Sequence, residues 1–231
     1  MLSVEELIIQ QGDFVLRADF KVEPGARVAV LGPSGAGKST LLGAIGGYVR
    51  LAQGRVVVNG CNVSNAAPDQ RGIAMLFQDG NLFPHLTLAQ NVGLGLRPAL
   101  RLTDTETAQV HDALSRVGLA GFEARKPGDV SGGQQSRAAL ARMLTQAKPL
   151  MLLDEPFSAL GPALRSEMLE LTSEVARDAR ATVLMITHDP QDAERASDQI
   201  VFVDAGQAYA PRAVADIMAD PPEALRAYLG F

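Results

Sequence analysis

At 231 residues, 47% hydrophobic and 20% charged, the chain has the composition of a water-soluble α/β protein with room for a sizeable core. A net charge of −5 and the lack of Lys/Arg clusters argue against nucleic acid as a main partner. No apolar run approaches the ~20 residues needed to span a bilayer, and the start, Met1 to Glu6, carries acid where a secretory signal carries base. In chain order, Leu2 to Ile9 and Phe14 to Val22 read as an antiparallel pair of strands. Arg27 to Leu31 has the apolar pattern of a buried parallel strand, and Leu41 to Ile45 opens a helical pattern. Gly54 to Asn59 is β-like, and Cys61 beyond it, the single cysteine, has no internal disulfide partner, which suits a reducing compartment. From about 79 to 147 the pattern turns helical, most clearly over Asp104 to Val117 and Gly132 to Gln146, and predicts a helical lobe inserted in a sheet domain. Leu150 to Leu153 and Thr182 to Ile186 read as two more buried strands, flanked by Gln199 to Val203. After Asp204 the tail is short, with one helix expected near Ala213 to Met218 and no room for a C-terminal regulatory domain. The expectation is one domain, 1–231.

Between the strand ending at Leu31 and the following helix lie Gly32, Pro33, Ser34, Gly35, Ala36, Gly37, Lys38, Ser39 and Thr40. They fit G-x-x-x-x-G-K-[ST] in the strand–loop–helix context that gives the pattern its mechanism. Successive N–H groups and the helix N-terminus cradle a β-phosphate, Lys38 reaches the β- and γ-phosphates, and Ser39 ligates Mg²⁺. The glycines let the backbone approach phosphate closely. The sequence therefore predicts a nucleoside triphosphate site. In open parallel sheets ligands sit outside the carboxyl ends of the strands, so Asp154, Glu155 and His188, each just past a predicted strand, converge on the same crevice. Asp154 is expected to hold hydrated Mg²⁺, and Glu155 to act as general base or to polarise the attacking water.

Ser131, Gly132, Gly133 and Gln134 open another helix, with Ser131 as N-cap and two glycines leaving the first-turn N–H groups accessible. Alone this is an ordinary helix start. Beside the phosphate loop, it resembles the signature motif of the ABC ATPases. The order of motifs, phosphate loop, Gln78, signature, Asp154 with Glu155, then His188, matches that family over essentially the whole chain. The resemblance implies a P-loop NTPase core, with a mostly parallel sheet, N-terminal antiparallel strands and an inserted helical lobe. It assigns Gln78 to the loop that ligates Mg²⁺ or water and senses the membrane partner, and His188 to the switch that contacts the γ-phosphate; His85 and His111 lack such a setting. It also implies ATP and Mg²⁺ as ligands and a second copy arranged head-to-tail, so that one copy's signature closes on ATP held by the other. The remaining implied partners are an integral membrane permease and, indirectly, a solute-binding protein, with the chain peripheral on the cytoplasmic face of a bacterial inner membrane.

Asn81 to Leu96 resemble the surface by which importer ATPases grip a permease, with Leu82 and Phe83 as an apolar knob. Met75 to Gln78, together with the runs between Asn81 and Leu96 and a following Pro98, are similar in particular to the thiamine-importer branch of the family. Two departures stand out. Gly161 replaces the aspartate usual after Ser158, Ala159 and Leu160, and Gln135 with Ser136 precede Arg137 where Arg-Gln-Arg is common. No residue fits the adenine-stacking aromatic without question; Gln10 and Gln11 fall near its position and Phe14 is the nearest ring. Two rival readings stay open. A soluble ABC ATPase of DNA repair or ribosomes would usually insert coiled coils, zinc modules or a tandem ATPase, and a small-molecule phosphotransferase leaves Ser131 to Gln134 and His188 without a task.

Overall fold

The computed structural model, which describes residues 1–78 and 80–229, begins with β1 (Leu2–Gln11) and β2 (Phe14–Val22), paired antiparallel. A bulge interrupts β1 at Glu6, whose φ is +46°, and Gly54 lies against that bulge with no room for a Cβ. Next come β3 (Arg27–Leu31), α1 (Lys38–Gly46), β4 (Gln53–Val58), β5 (Cys61–Asn62) and β6 (Ile73–Leu76). Helices α2 (Leu88–Gly93), α3 (Asp104–Arg116) and α4 (Gly132–Thr145) follow. The chain returns through β7 (Leu150–Asp154), α5 (Pro162–Ala179), β8 (Thr182–Ile186), α6 (Pro190–Ala196) and β9 (Gln199–Asp204). It closes with β10 (Gln207–Ala208), β11 (Arg212–Ala213), α7 (Val214–Ala219) and α8 (Glu223–Leu229).

Among the described residues the strands form one sheet in the order β5-β4-β1-β2-β10-β9-β3-β8-β7-β6, with β11 beside β9. β9, β3, β8, β7 and β6 run parallel, in a register that sets Val28 beside Leu184 and Leu152 beside Met75. Their side chains alternate between two faces, as a period of two requires. Val28, Val30, Leu152, Leu184 and Val201 face the core shared with α1 and the β1–β2 arm. Met151, Leu153, Val183 and Met185 face the core shared with α2 to α5, while Ala29, Leu31, Ile200 and Phe202 meet α6 to α8. Both faces are covered, which is why these strands read as continuous apolar runs.

The phosphate loop is fixed from behind through α1. Leu41, Leu42 and Ile45 are fully buried on it, each worth roughly 1.5–3 kcal/mol relative to exposure. Its C-terminal carbonyls are held by Arg71, a 5%-exposed guanidinium that donates to the carbonyls of Ala44, Ile45, Ala66 and Ser64 at 2.8–3.0 Å. Burial pushes the Arg71 pKa down, a measure of how far this cation has left water.

The strands expected at Arg27 to Leu31 and Thr182 to Ile186 occur with those limits, and the N-terminal pair is antiparallel as expected. The tail differs: it carries two helices, α7 and α8, because Leu225 anchors a second turn-forming segment in the core. Residue 79, where the helical pattern was expected to begin, lies outside the described residues.

Candidate nucleotide site

The carboxyl ends of β3, β7 and β8 open on one cleft of about 540 Å³, lined by Gly32, Ser34, Gly35, Gly37, Lys38, Ser39, Thr40, Glu155, His188, Phe14 and Tyr228. α1 starts at Lys38 with Gly37 as N-cap in the left-handed region and no side-chain cap. Its first-turn N–H groups have no acceptor within the helix and face the cleft as an anion site. Two of the glycines are required by the protein's own packing, before any ligand is considered. A Cβ on Gly32 would strike the Val203 carbonyl, and one on Gly37 would lie 2.7 Å from Phe14 Cζ.

The Lys38 ammonium donates to the carbonyls of Gly32 and Pro33 at 2.7 and 2.8 Å. Burial lowers its pKa, opposed by the charges of Glu155 and Asp154. Ser39 Oγ donates to Asp154 Oδ1 at 3.1 Å. Desolvation raises the Asp154 pKa, reinforced by neighbouring Glu155 and opposed by the Ser39 bond and Lys38. Glu155 adopts φ +44°, a strained conformation for a residue with a Cβ. Its carbonyl accepts from Ser158 N and Oγ, which hold the turn, and its carboxylate lies 3.4 Å from His188 Nδ1.

The main chain around His188 is tied down from behind. Arg165 on α5 pairs with Asp192 at 2.5 Å and with Asp189 at 3.4 Å. Thr187 Oγ1 donates to Asp192 at 2.8 Å and accepts from Asp189 N at 3.1 Å. Asp189 caps α6, with Pro190 at its first position.

The chain as a whole is similar to known proteins. The family profile described as ABC transporter matches residues 15–158. The chain belongs to the ABC transporter family. A protein of Cereibacter sphaeroides called thiamine import ATP-binding protein ThiQ is 56% identical over 230 residues, covering 100% of both chains. A protein of the same name from Ruegeria sp. is 52% identical, again over 100% of each. Among solved structures, a dimeric ATP-binding cassette in a post-hydrolysis state bound to ADP and Pi aligns at TM-score 0.80 and 27% identity, covering 93% of this chain and 99% of its own. cbiO1 from Clostridium perfringens, part of the ABC transporter complex cbiONQ, aligns at TM-score 0.85 and 27% identity over 95% and 90% of the two chains.

In this ABC chain Ser131, Gly132, Gly133 and Gln134 are not among the residues that line the cleft. Ser131 caps α4 in a reciprocal box: its hydroxyl accepts from Gln134 N at 3.3 Å, and its own N–H donates to Gln134 Oε1 at 2.9 Å. Gly132 has open space, while a Cβ on Gly133 would strike Leu164 of α5, so that glycine serves packing. The Gln135 departure is absorbed locally, since its amide donates to the carbonyls of Pro127 and Val130. Gln78 is exposed on the loop after β6 and is not among the residues lining the cleft. Further along the same loop Arg142 of α4 donates to the carbonyls of Gly80 and Asn81 at 2.8 and 2.7 Å. Phe83 is 47% exposed and its backbone is clamped by the buried Asn91 amide, whereas Leu82 packs partly into the helical core instead of joining Phe83 outside.

Phe14 does line the cleft, and Gln11 accepts from Thr40 Oγ1 at 3.5 Å. His85 and His111 are exposed away from the cleft. Gly161 sits at the N-cap of α5 with no side-chain hydrogen bond. Sequence reasoning missed Arg165, Asp192 and Tyr228. The Asp189–Pro190 cap pair was a readable signal for the first two, while Tyr228 gave none, because it reaches the cleft by a tertiary fold-back.

Proposed function

We propose that the chain is the ATP-hydrolysing subunit of a thiamine importer, one ABC domain over residues 1–231 with its helical lobe at about 79–147. What carries the reading is the meeting of Lys38, Ser39, Glu155 and His188 in one cleft whose lining residues leave out Ser131 to Gln134. Two copies head-to-tail supply the missing wall, one copy's Ser131, Gly132, Gly133 and Gln134 closing over the triphosphate on the other's loop. Gly32 to Thr40 bind the β- and γ-phosphates through main-chain N–H groups and the Lys38 ammonium. Glu155 accepts a proton from the water that attacks the γ-phosphorus as the bond to the β,γ-bridging oxygen breaks, releasing ADP and phosphate. His188, beside Glu155, contacts the γ-phosphate. The Ser39 hydroxyl and Asp154 carboxylate, hard oxygen donors 3.1 Å apart, fit Mg²⁺, with the Gln78 amide as a further ligand, and the bound cation would neutralise phosphate charge.

Loss of the γ-phosphate removes the contacts that bridge the two copies, so hydrolysis reopens the dimer. The exposed Phe83 loop, held by Asn91, passes that movement to an integral membrane permease fed by a solute-binding protein. No helix among the described residues is long and apolar enough to cross a membrane, and the placement proposed is peripheral, on the cytoplasmic face of the inner membrane. The solute rests on full-length similarity to the thiamine import proteins.

Glu155→Gln tests the composite site. With ATP and Mg²⁺ the variant should bind nucleotide normally and accumulate as a dimer by light scattering; a variant that stays monomeric under saturating ATP rules the arrangement out. For the solute, a strain deleted for this chain should fail on limiting thiamine, and normal thiamine uptake there removes that assignment while leaving the motor.

A further inference from the structure

The cleft has a wall that none of the nucleotide motifs provides. α8 folds back over the carboxyl end of the sheet, anchored by the fully buried Leu225 in the cluster of Ala29, Leu31, Phe202 and Ile217. Tyr228, one turn on, packs partly on this cluster with its ring 6.4 Å from that of Phe202. Its hydroxyl donates to the main-chain carbonyl of His188 at 2.8 Å, and its side chain lines the cleft beside Glu155.

We propose that Tyr228 is a positioning residue of the ATPase, holding the His188 peptide so that the imidazole faces Glu155 and the γ-phosphate; this rests on the ATPase reading above. The His188 side chain is 52% exposed, so packing does little to fix its direction. Its orientation is set by the backbone that carries it. Thr187 and Asp189 are tied from the α5–α6 side by Arg165 and Asp192, but these bonds leave the His188 carbonyl itself untouched. Tyr228 holds that atom from the opposite side. Burial, then the nearby Glu155 and Asp189 charges, raise the phenol pKa, so it stays a neutral donor across the working range. The tail is thereby joined to the catalytic machinery through one hydroxyl.

Tyr228→Phe keeps the ring and removes only the donor. Measured on the chain assembled with its membrane partner, kcat should fall about two- to tenfold, the range one neutral hydrogen bond supports, with KM for ATP unchanged. A residue that merely stabilises the fold would lower activity in any background. A residue acting through His188 should have no further effect in a His188→Ala background, measured by single-turnover hydrolysis. An equal loss in both backgrounds, a rise in KM alone, or no loss beside an active wild type overturns the role of Tyr228 and leaves the ATPase reading standing. A wild type that hydrolyses no ATP with its partner present sinks that reading, and this proposal with it.

Discussion

Arg71→Met offers a quantitative test of how the phosphate loop is held. The substitution keeps an apolar stem and removes a buried guanidinium that serves four carbonyls. Ala44 keeps a second partner, the Gly47 N–H, so the loss falls mainly on Ile45, Ser64 and Ala66. Hydrogen bonds from a charged donor contribute about 1.5–3 kcal/mol each, and a buried unpaired acceptor costs about 1–3 kcal/mol. These terms overlap, and the variant no longer desolvates a cation, which leaves a net loss of about 2–4 kcal/mol. At a urea m-value of about 2–3 kcal/mol/M the midpoint should fall by about 1 M with m unchanged, followed by far-UV circular dichroism. Arg71→Lys retains the charge but lacks the planar fork that reaches several carbonyls at once, and should recover less than half of the loss. A Met variant within about 0.2 M of wild type would refute the claim that this guanidinium anchors α1.

Two other substitutions probe the acidic strand end and the helix beyond it. Asp154 has a raised pKa from desolvation, so its protonated form is favoured by folding and its ionised form is penalised. Wild type should therefore lose stability relative to Asp154→Asn as pH rises from below the ordinary carboxylate range through the raised pKa, seen as a Tm difference that opens towards neutral pH and closes in acid; a constant difference would contradict the assignment. Gly161→Asp should stabilise α5 by a few tenths of a kcal/mol, because the N-cap there lacks a side-chain acceptor and a Cβ meets nothing within 4 Å. Thermal melts without nucleotide check this, and a destabilised Asp variant would show that the cap geometry is not open to a carboxylate.

Much of the parallel core was legible because its strands are buried on both faces, so Val28 to Leu31 and Val183 to Ile186 carry apolar residues at every position. Capped helices were legible too: Ser131, read as an N-cap, does cap α4, and Gln134 completes a reciprocal box with it. β6 was harder to see. It is four residues long and runs directly into the Gln78 loop, so its motif obscured its strand. α2 has only six residues and depends on the Thr87 box and on Asn91 contacts to Phe83, Leu86 and Thr87. Leu82 illustrates a different limit. Its neighbour Phe83 is outside, but periodicity over two residues does not say which of them turns into the core. Tyr228 lay furthest from reach, since its partner at His188 is forty residues away.

Arg142 gives the helical lobe a mechanical character. Its guanidinium grips the strand-exit loop at Gly80 and Asn81, and Thr145 of the same helix bonds the Val92 carbonyl of α2. Partial burial lowers its pKa. In the proposed assembly, the Ser131 tip of α4 and the loop leading to Phe83 belong to one hydrogen-bonded unit, so a displacement of either is carried to the other through this helix.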